Sequence, residues 1–107
     1  MSAPAPGQRM PGSFGESKPA TPEVQAIADK VRPEVESHIG ALSEYVAEQF
    51  RTQVVAGTNY AIKVRVSAGH YIHIKVYKPL GDAEPTLSGV DKDKTASDAL
   101  DKITPTH

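Results

Sequence analysis

Apolar and polar residues alternate twice in the middle of this chain. Tyr60, Ile62, Val64 and Val66 share one parity, with Ala61, Lys63 and Arg65 on the other. Ile72, Ile74 and Val76 then alternate with His73, Lys75 and Tyr77. A two-residue period in β-branched residues marks strands with one dry and one wet face. The pattern predicts two or three strands over Val46–Tyr77, antiparallel because the connections are short. Upstream the period changes. Val24, Ile27, Ala28, Val31, Val35 and Ile39 recur at three- and four-residue steps, which predicts a helix of roughly 19 residues with one apolar stripe. Thr21 suits the N-cap, Pro22 the first helical position, Glu23 the positive end and Gly40 the stop. Pro33 interrupts this run and predicts a kink or a loosened turn. The helix stripe is the natural cover for the dry face of the sheet.

Other stretches are less regular. Val46, Phe50, Thr52 and Val54 share a parity that Glu48 breaks, so a bulge is expected near Ala47 or Glu48. Ser43–Tyr45 fits either a turn or the strand. Val55-Ala56-Gly57 and Ser67-Ala68-Gly69 read as hairpin turns, with glycine available for positive φ. Pro79-Leu80-Gly81-Asp82 ends the strand carrying Ile74 and Val76. Thr86–Val90 reads as a short last strand and Asp91–Lys94 as a self-neutralising solvated run. Ala96–Ile103 is compatible with a short helical turn, and residues 104–107 are expected to fray.

Composition narrows the functional classes. The 107 residues suffice for one domain, and there is no cysteine for a disulfide or a thiolate metal site. The formal charge is −1, with both signs interspersed, which gives no electrostatic reason to expect nucleic acid or an anionic membrane as partner. No apolar run approaches the ~20 residues of a membrane span, and the polar, proline-broken start does not read as a secretory leader. A cytoplasmic location is expected, with non-classical release from the cell left open. Residues 1–20, rich in Pro, Gly, Ser and Ala, read as a flexible segment.

Catalytic chemistry finds no foothold. No serine lies in a motif that would activate it, and His38, His70, His73 and His107 are scattered. His73 and Lys75 fall on the wet parity of their strand and read as solvated. There is no carboxylate pair, phosphate loop or metal-ligand grouping. The expectation is therefore no catalytic residue, no metal and no cofactor, and binding by shape. Three apolar segments containing glycine stand out: Pro11-Gly12-Ser13-Phe14, Val54-Val55-Ala56-Gly57 and Leu80-Gly81. Pro11-Gly12 permits close backbone approach to a partner, and Phe14 can fill an apolar subsite on binding. Val54 and Val55 at a turn add little to a core and can serve as contact groups. Two strands and one turn separate this hairpin from Leu80, so both belong at one end of an antiparallel sheet. Together they would form a narrow apolar edge able to enter a cleft.

Gln53-Val54-Val55-Ala56-Gly57, followed by Thr58-Asn59-Tyr60 and preceded by a Pro-Gly and a helix, resembles the stefins, the type 1 cystatins. The resemblance runs from about Met10 to Gly89 and includes Lys18–Glu23 and Ile62–Arg65. It implies an α+β cystatin-like fold: a five-stranded antiparallel sheet wrapped around one long helix, within a single domain over residues 10–103. It also implies reversible, tight inhibition of papain-like cysteine proteases such as lysosomal cathepsins. In that reading a trunk at residues 10–15 lies along the protease cleft, Gln53–Gly57 forms the first wedge, and Leu80 with Gly81 forms the second. The resemblance further implies a monomer that can exchange its helix and first strands to form a swapped dimer. In this chain Val54-Val55 at a tight turn suggests that opening the hairpin relieves strain. Several features depart from the family pattern. The usual second-loop Leu-Pro is Leu80-Gly81, with Pro79 before the leucine; Met1–Arg9 precede the usual start; Val90 replaces an aromatic; and the ending is unusual. The change at Gly81 points to weaker or altered contact by the second loop, because glycine orders at greater entropic cost than proline; the extension either is harmless or obstructs the trunk. They also leave a second reading, a non-inhibitory or engineered binding scaffold on the same fold.

Overall fold

The computed structural model describes residues 14–81, 83–100 and 103–106. Its elements run β1 (Lys18–Pro19), α1 (Pro22–Ile39), β2 (Val46–Val55), β3 (Gly57–Ser67), β4 (His70–Lys78) and β5 (Thr86–Lys94). The five strands form one sheet in chain order, and every neighbouring pair is antiparallel. The architecture is the expected α+β arrangement of one antiparallel sheet and one helix.

The predicted ends of α1 both hold. Thr21 caps the helix, its Oγ1 accepting from the Val24 N–H at 3.2 Å, and Gly40 closes it at φ 97° with its N–H donating to the Glu36 carbonyl at 2.8 Å. The helix runs unbroken through Pro33. Val24, Ala28, Val31 and Val35 are buried, each three or four residues from the next, while Ile27 and Ile39 pack at the margin. They meet Ile62, Val64, Ile72, Ile74, Val76 and Leu87, the dry-face residues of β3, β4 and β5. Full burial of each such aliphatic side chain contributes about 1.5–3 kcal/mol, so this interface is the main source of cohesion.

Polar contacts fix where the helix lies along the sheet. Gln25 donates to the Tyr45 carbonyl at 3.2 Å and accepts from the Ala47 N–H at 2.8 Å. The Tyr45 hydroxyl donates to the Ala28 carbonyl at 2.8 Å. Ser43–Tyr45 thus belongs to the connection, and β2 begins at Val46. The register of β2 against β3 shifts between Ala47 and Gln49, which is the bulge that Glu48's broken parity predicts.

The C-terminal part differs from expectation. β5 does not stop at Val90; Asp91–Lys94 continue it, pairing with Tyr71 and His73. Ala96–Ile103 contains no helix among its described residues. It turns back over the open face of the sheet, where Lys63 donates to the Ala96 and Asp98 carbonyls, both at 2.6 Å. His73 and Lys63 are consequently only 1% and 3% exposed, so the reading of His73 as a solvated strand residue is wrong. The physical reason is that the covering segment lies more than 20 residues downstream, and strand parity assigns a face without saying what packs on it. Residues 104–106, expected to fray, pair with the free edge of β5: Val90 N–H donates to Thr104 O at 3.0 Å and Thr106 N–H to Ser88 O at 3.1 Å.

Candidate functional site

The turn between β2 and β3 is as tight as its small residues allow. Val55 pairs with Gly57, leaving Ala56 alone at the bend. Gly57 has φ 109°, and a Cβ there would stand 2.6 Å from the Lys78 carbonyl and 2.8 Å from the Tyr77 hydroxyl. Only glycine satisfies both the torsion and the space. The turn therefore lies flat against the end of β4, and the Tyr77 hydroxyl donates to the Ala56 carbonyl. The two residues before the bend face outward: Val54 is 77% exposed and Val55 43%. Gln53, half-buried, is fixed through its Oε1, which accepts from Asn59 Nδ2 across the pair at 2.8 Å.

The second loop starts beside the first. Thr58 pairs with Lys78, the last residue of β4, so the chain leaves the sheet next to the Gly57 turn. Leu80 is 74% exposed, and Gly81 follows at φ 78°. The Lys78 ammonium donates back to the Gly81 carbonyl at 3.0 Å and reaches the Pro79 carbonyl at 3.5 Å. Leu80 is thus held out from the loop rather than folded under it. One end of the sheet presents Val54, Val55, Ala56 and Leu80 as an apolar edge carried on hydrogen-bonded backbone.

Pro11, Gly12 and Ser13 lie outside the described residues. Phe14 is described and half-buried. From Ala20 back to Gly15 the chain follows β2: Ala20 N–H donates to Glu48 O at 2.9 Å, Lys18 pairs with Phe50, and Gly15 N–H donates to Thr52 O at 2.8 Å. This path leads toward the Val54 end of the strand. The Phe14 ring lies 5.9 Å from both the Arg51 guanidinium and the Lys75 ammonium, on the open face of the sheet. It is not grouped with Val54 and Leu80.

The structure thus joins two of the three apolar segments at one edge; of the third, only Phe14 is among the described residues, and it lies on the open face of the sheet. Sequence reasoning missed Tyr77, Lys78 and Arg51. Tyr77 and Arg51 act on residues 21 to 49 positions away, which no local pattern reports. Lys78 holds a loop only three residues on, and its proximity to Gly81 was a usable signal. The edge carries no nucleophile, and among the described residues no group of three or more His, Asp or Glu could hold a metal ion.

A family model described as Cystatin domain matches residues 12–96. Cystatin-A of Felis catus is 46% identical over 94 residues, covering 85% of this chain and 96% of its own length. Cystatin-A of Homo sapiens is 48% identical over 94 residues, with the same coverage of 85% and 96%. Leukocyte cysteine proteinase inhibitor 1 of Sus scrofa is 44% identical over 96 residues, covering 87% of this chain and 93% of its own.

Proposed function

The chain belongs to the cystatin family, on its stefin branch, and from that premise we propose that it is a reversible inhibitor of papain-like cysteine proteases, cathepsins among them. The family consists of inhibitors rather than enzymes, in keeping with an edge that offers shape and no reacting group. The observation that carries the reading is the pairing of Val54–Val55 and Leu80 on adjoining turns. The first turn is braced by Tyr77 of the adjoining strand, and the second by Lys78 at its own base.

Such an edge can enter a narrow cleft with little ordering cost, because its backbone is already fixed by the sheet. Apolar side chains displace water along the cleft walls while the turns cover the catalytic thiol. Neither turn presents an extended, cleavable segment. Both are hydrogen-bonded to a neighbouring strand or to their own loop, so neither can lie flat as a substrate. Pro11–Gly15 would continue this line along the cleft from the β2 side. A cytoplasmic location belongs to the same proposal; no helix among the described residues is long and apolar enough to cross a membrane.

The test is active-site titration of papain and of a cathepsin with the purified chain, following hydrolysis of a small fluorogenic substrate. Near-stoichiometric, reversible loss of activity is expected. Val54→Glu should raise the inhibition constant by roughly thirty-fold or more, the equivalent of a hot-spot residue at about 2 kcal/mol. Unfolding stability should change by less than about 0.5 kcal/mol, because Val54 is exposed. Full protease activity in excess folded protein would reject inhibition and favour a binding scaffold on the same fold.

A further inference from the structure

Arg51 stands on the open face of β2, two residues before the Gln53–Gly57 turn. Its guanidinium reaches three backbone carbonyls from both ends of the chain: Nε donates to Gly15 O at 2.7 Å, Nη2 to Phe14 O at 3.4 Å and Nη1 to Leu100 O at 2.6 Å. The Phe14 ring lies against the same group at 5.9 Å. Gly15 is additionally bound to β2 by its own N–H, which donates to Thr52 O. We infer that Arg51 is a positioning residue for the trunk. It fixes the point where residues 14 and 15 join the sheet and makes that placement depend on the C-terminal segment.

The argument is one of geometry and donor count. A guanidinium is planar and offers five N–H donors in a rigid fork, so it can satisfy three carbonyls approaching from different sides at once. A lysine at this position would present one compact charge and hold one or two of them at a time. Charge-assisted bonds to carbonyls are stronger than neutral ones. Among the described residues Arg51 bonds to these backbone groups and to no carboxylate. A cleft of about 450 Å³ lies between the two segments, lined in part by Gly15, Arg51, Lys63, Asp98 and Leu100. Arg51 bonds to both sides of it. On the C-terminal side the segment is also held by Lys63 through Ala96 and Asp98. Moving Leu100 therefore moves the acceptor that helps set the direction of Arg51, and with it the root of the trunk.

The consequence for inhibition rests on the proposed function, but the placement itself does not. The test is amide hydrogen exchange on the full-length Arg51→Met and Arg51→Lys variants, read residue by residue by NMR. In Arg51→Met the protection of the Gly15 amide should fall by about tenfold or more, and that of the Val90 and Thr106 amides, which report docking of the C-terminal tail, should fall with it. The amides of Ile62 and Ile74 in the central strands should keep their protection. Arg51→Lys should restore part of the loss at one end only. Unchanged Gly15 protection in Arg51→Met would overturn the positioning role. Loss at Gly15 with unaltered Val90 and Thr106 would overturn the link between the two ends. Loss confined to none of these, with Ile62 and Ile74 exchanging faster as well, would reduce Arg51 to a general stabiliser and overturn both. The same Arg51→Met protein should dissociate from papain about tenfold faster. If exchange behaves as expected and dissociation does not change, the positioning stands and the trunk drops out of the inhibitory reading.

Discussion

Gly57 and Gly81 both have positive φ, at 109° and 78°, yet they do different work. Gly57 is buried against β4, where a Cβ would meet the Lys78 carbonyl at 2.6 Å; around Gly81 nothing lies within 4 Å of that position. Gly57→Ala therefore meets both torsional strain and a backbone clash, and should lose about 1–3 kcal/mol of stability. It should also detach the first turn from Tyr77 and weaken inhibition. Gly81→Ala meets strain alone and should lose about 1–2 kcal/mol, less than Gly57→Ala. Urea unfolding of the two variants checks this, and equal losses would contradict it. Proline is locked near φ −65° and could not adopt the conformation that Gly81 holds. Val54 and Val55 themselves carry no positive φ; among the described residues the only non-glycine with one is Asp93. The idea that opening this turn relieves strain at Val54-Val55 thus has no backbone basis, since Gly57 absorbs the unusual torsion.

At the scale of elements, α1 illustrates how packing overrides propensity. Pro33 supplies no N–H to the Asp29 carbonyl, and an interior proline costs an isolated helix about 3 kcal/mol. The helix nevertheless continues, because Val31 and Val35 on either side are fully buried against the sheet. Pro33 itself is exposed, so the cost is not recovered by contacts. Pro33→Ala should restore the donor. After allowing for the greater freedom of the unfolded chain, it should raise stability by about 2 kcal/mol in urea unfolding. A decrease would mean that the proline ring shapes the helix to the sheet. The bulge at Glu48 works at the same scale. It lets Ala47 and Phe50 both face the helix although they are three residues apart. It also frees Glu48 to accept from Tyr71 at 3.3 Å and to lie 3.5 Å from Arg65.

For the whole molecule, the chain's return over the open face has a pH signature. His73 is buried beneath it, its Nε2 without a partner among the described residues. Desolvation is the main cause that pushes its pKa down from 6.5 to about 4; Lys63 on β3 and Lys94 on β5 push the same way, while Asp98 and Asp91 oppose them. The folded state therefore holds this imidazole neutral where the unfolded chain protonates it. Between about pH 6.5 and about pH 4 the unfolded state binds the extra proton, so stability falls as pH falls across that window and is fully present above it. The loss due to this group is on the order of 3 kcal/mol. His73→Gln should flatten the pH dependence of urea unfolding across that window. An unchanged slope would place the acid sensitivity in other groups. The backbone N–H of Leu42 and then Arg32 lower the Glu36 pKa, and the Thr95 backbone N–H lowers that of Asp98. Their contributions are present above the ordinary carboxylate values of 4.5 and 3.8 and are lost as pH falls below them.

The sequence by itself determined the helix with both its ends, the alternating strands, the bulge, and the turns that carry Val54, Val55 and Leu80. Each of these depends on local chemistry: a capping hydroxyl at Thr21, a period of two or of 3.6, a glycine where φ must be positive. It also held the Gln53–Gly57 pattern that marks the family. Only the tertiary structure decided what covers the open face, where His73 and Lys63 lie, and which side chains brace the edge. Apart from the Lys78 loop, those outcomes join residues 21 to 49 positions apart, such as Tyr77 to Ala56, Lys63 to Ala96 and Arg51 to Leu100. Strand parity gives a side chain its direction but carries no information about which distant segment will arrive to bury it.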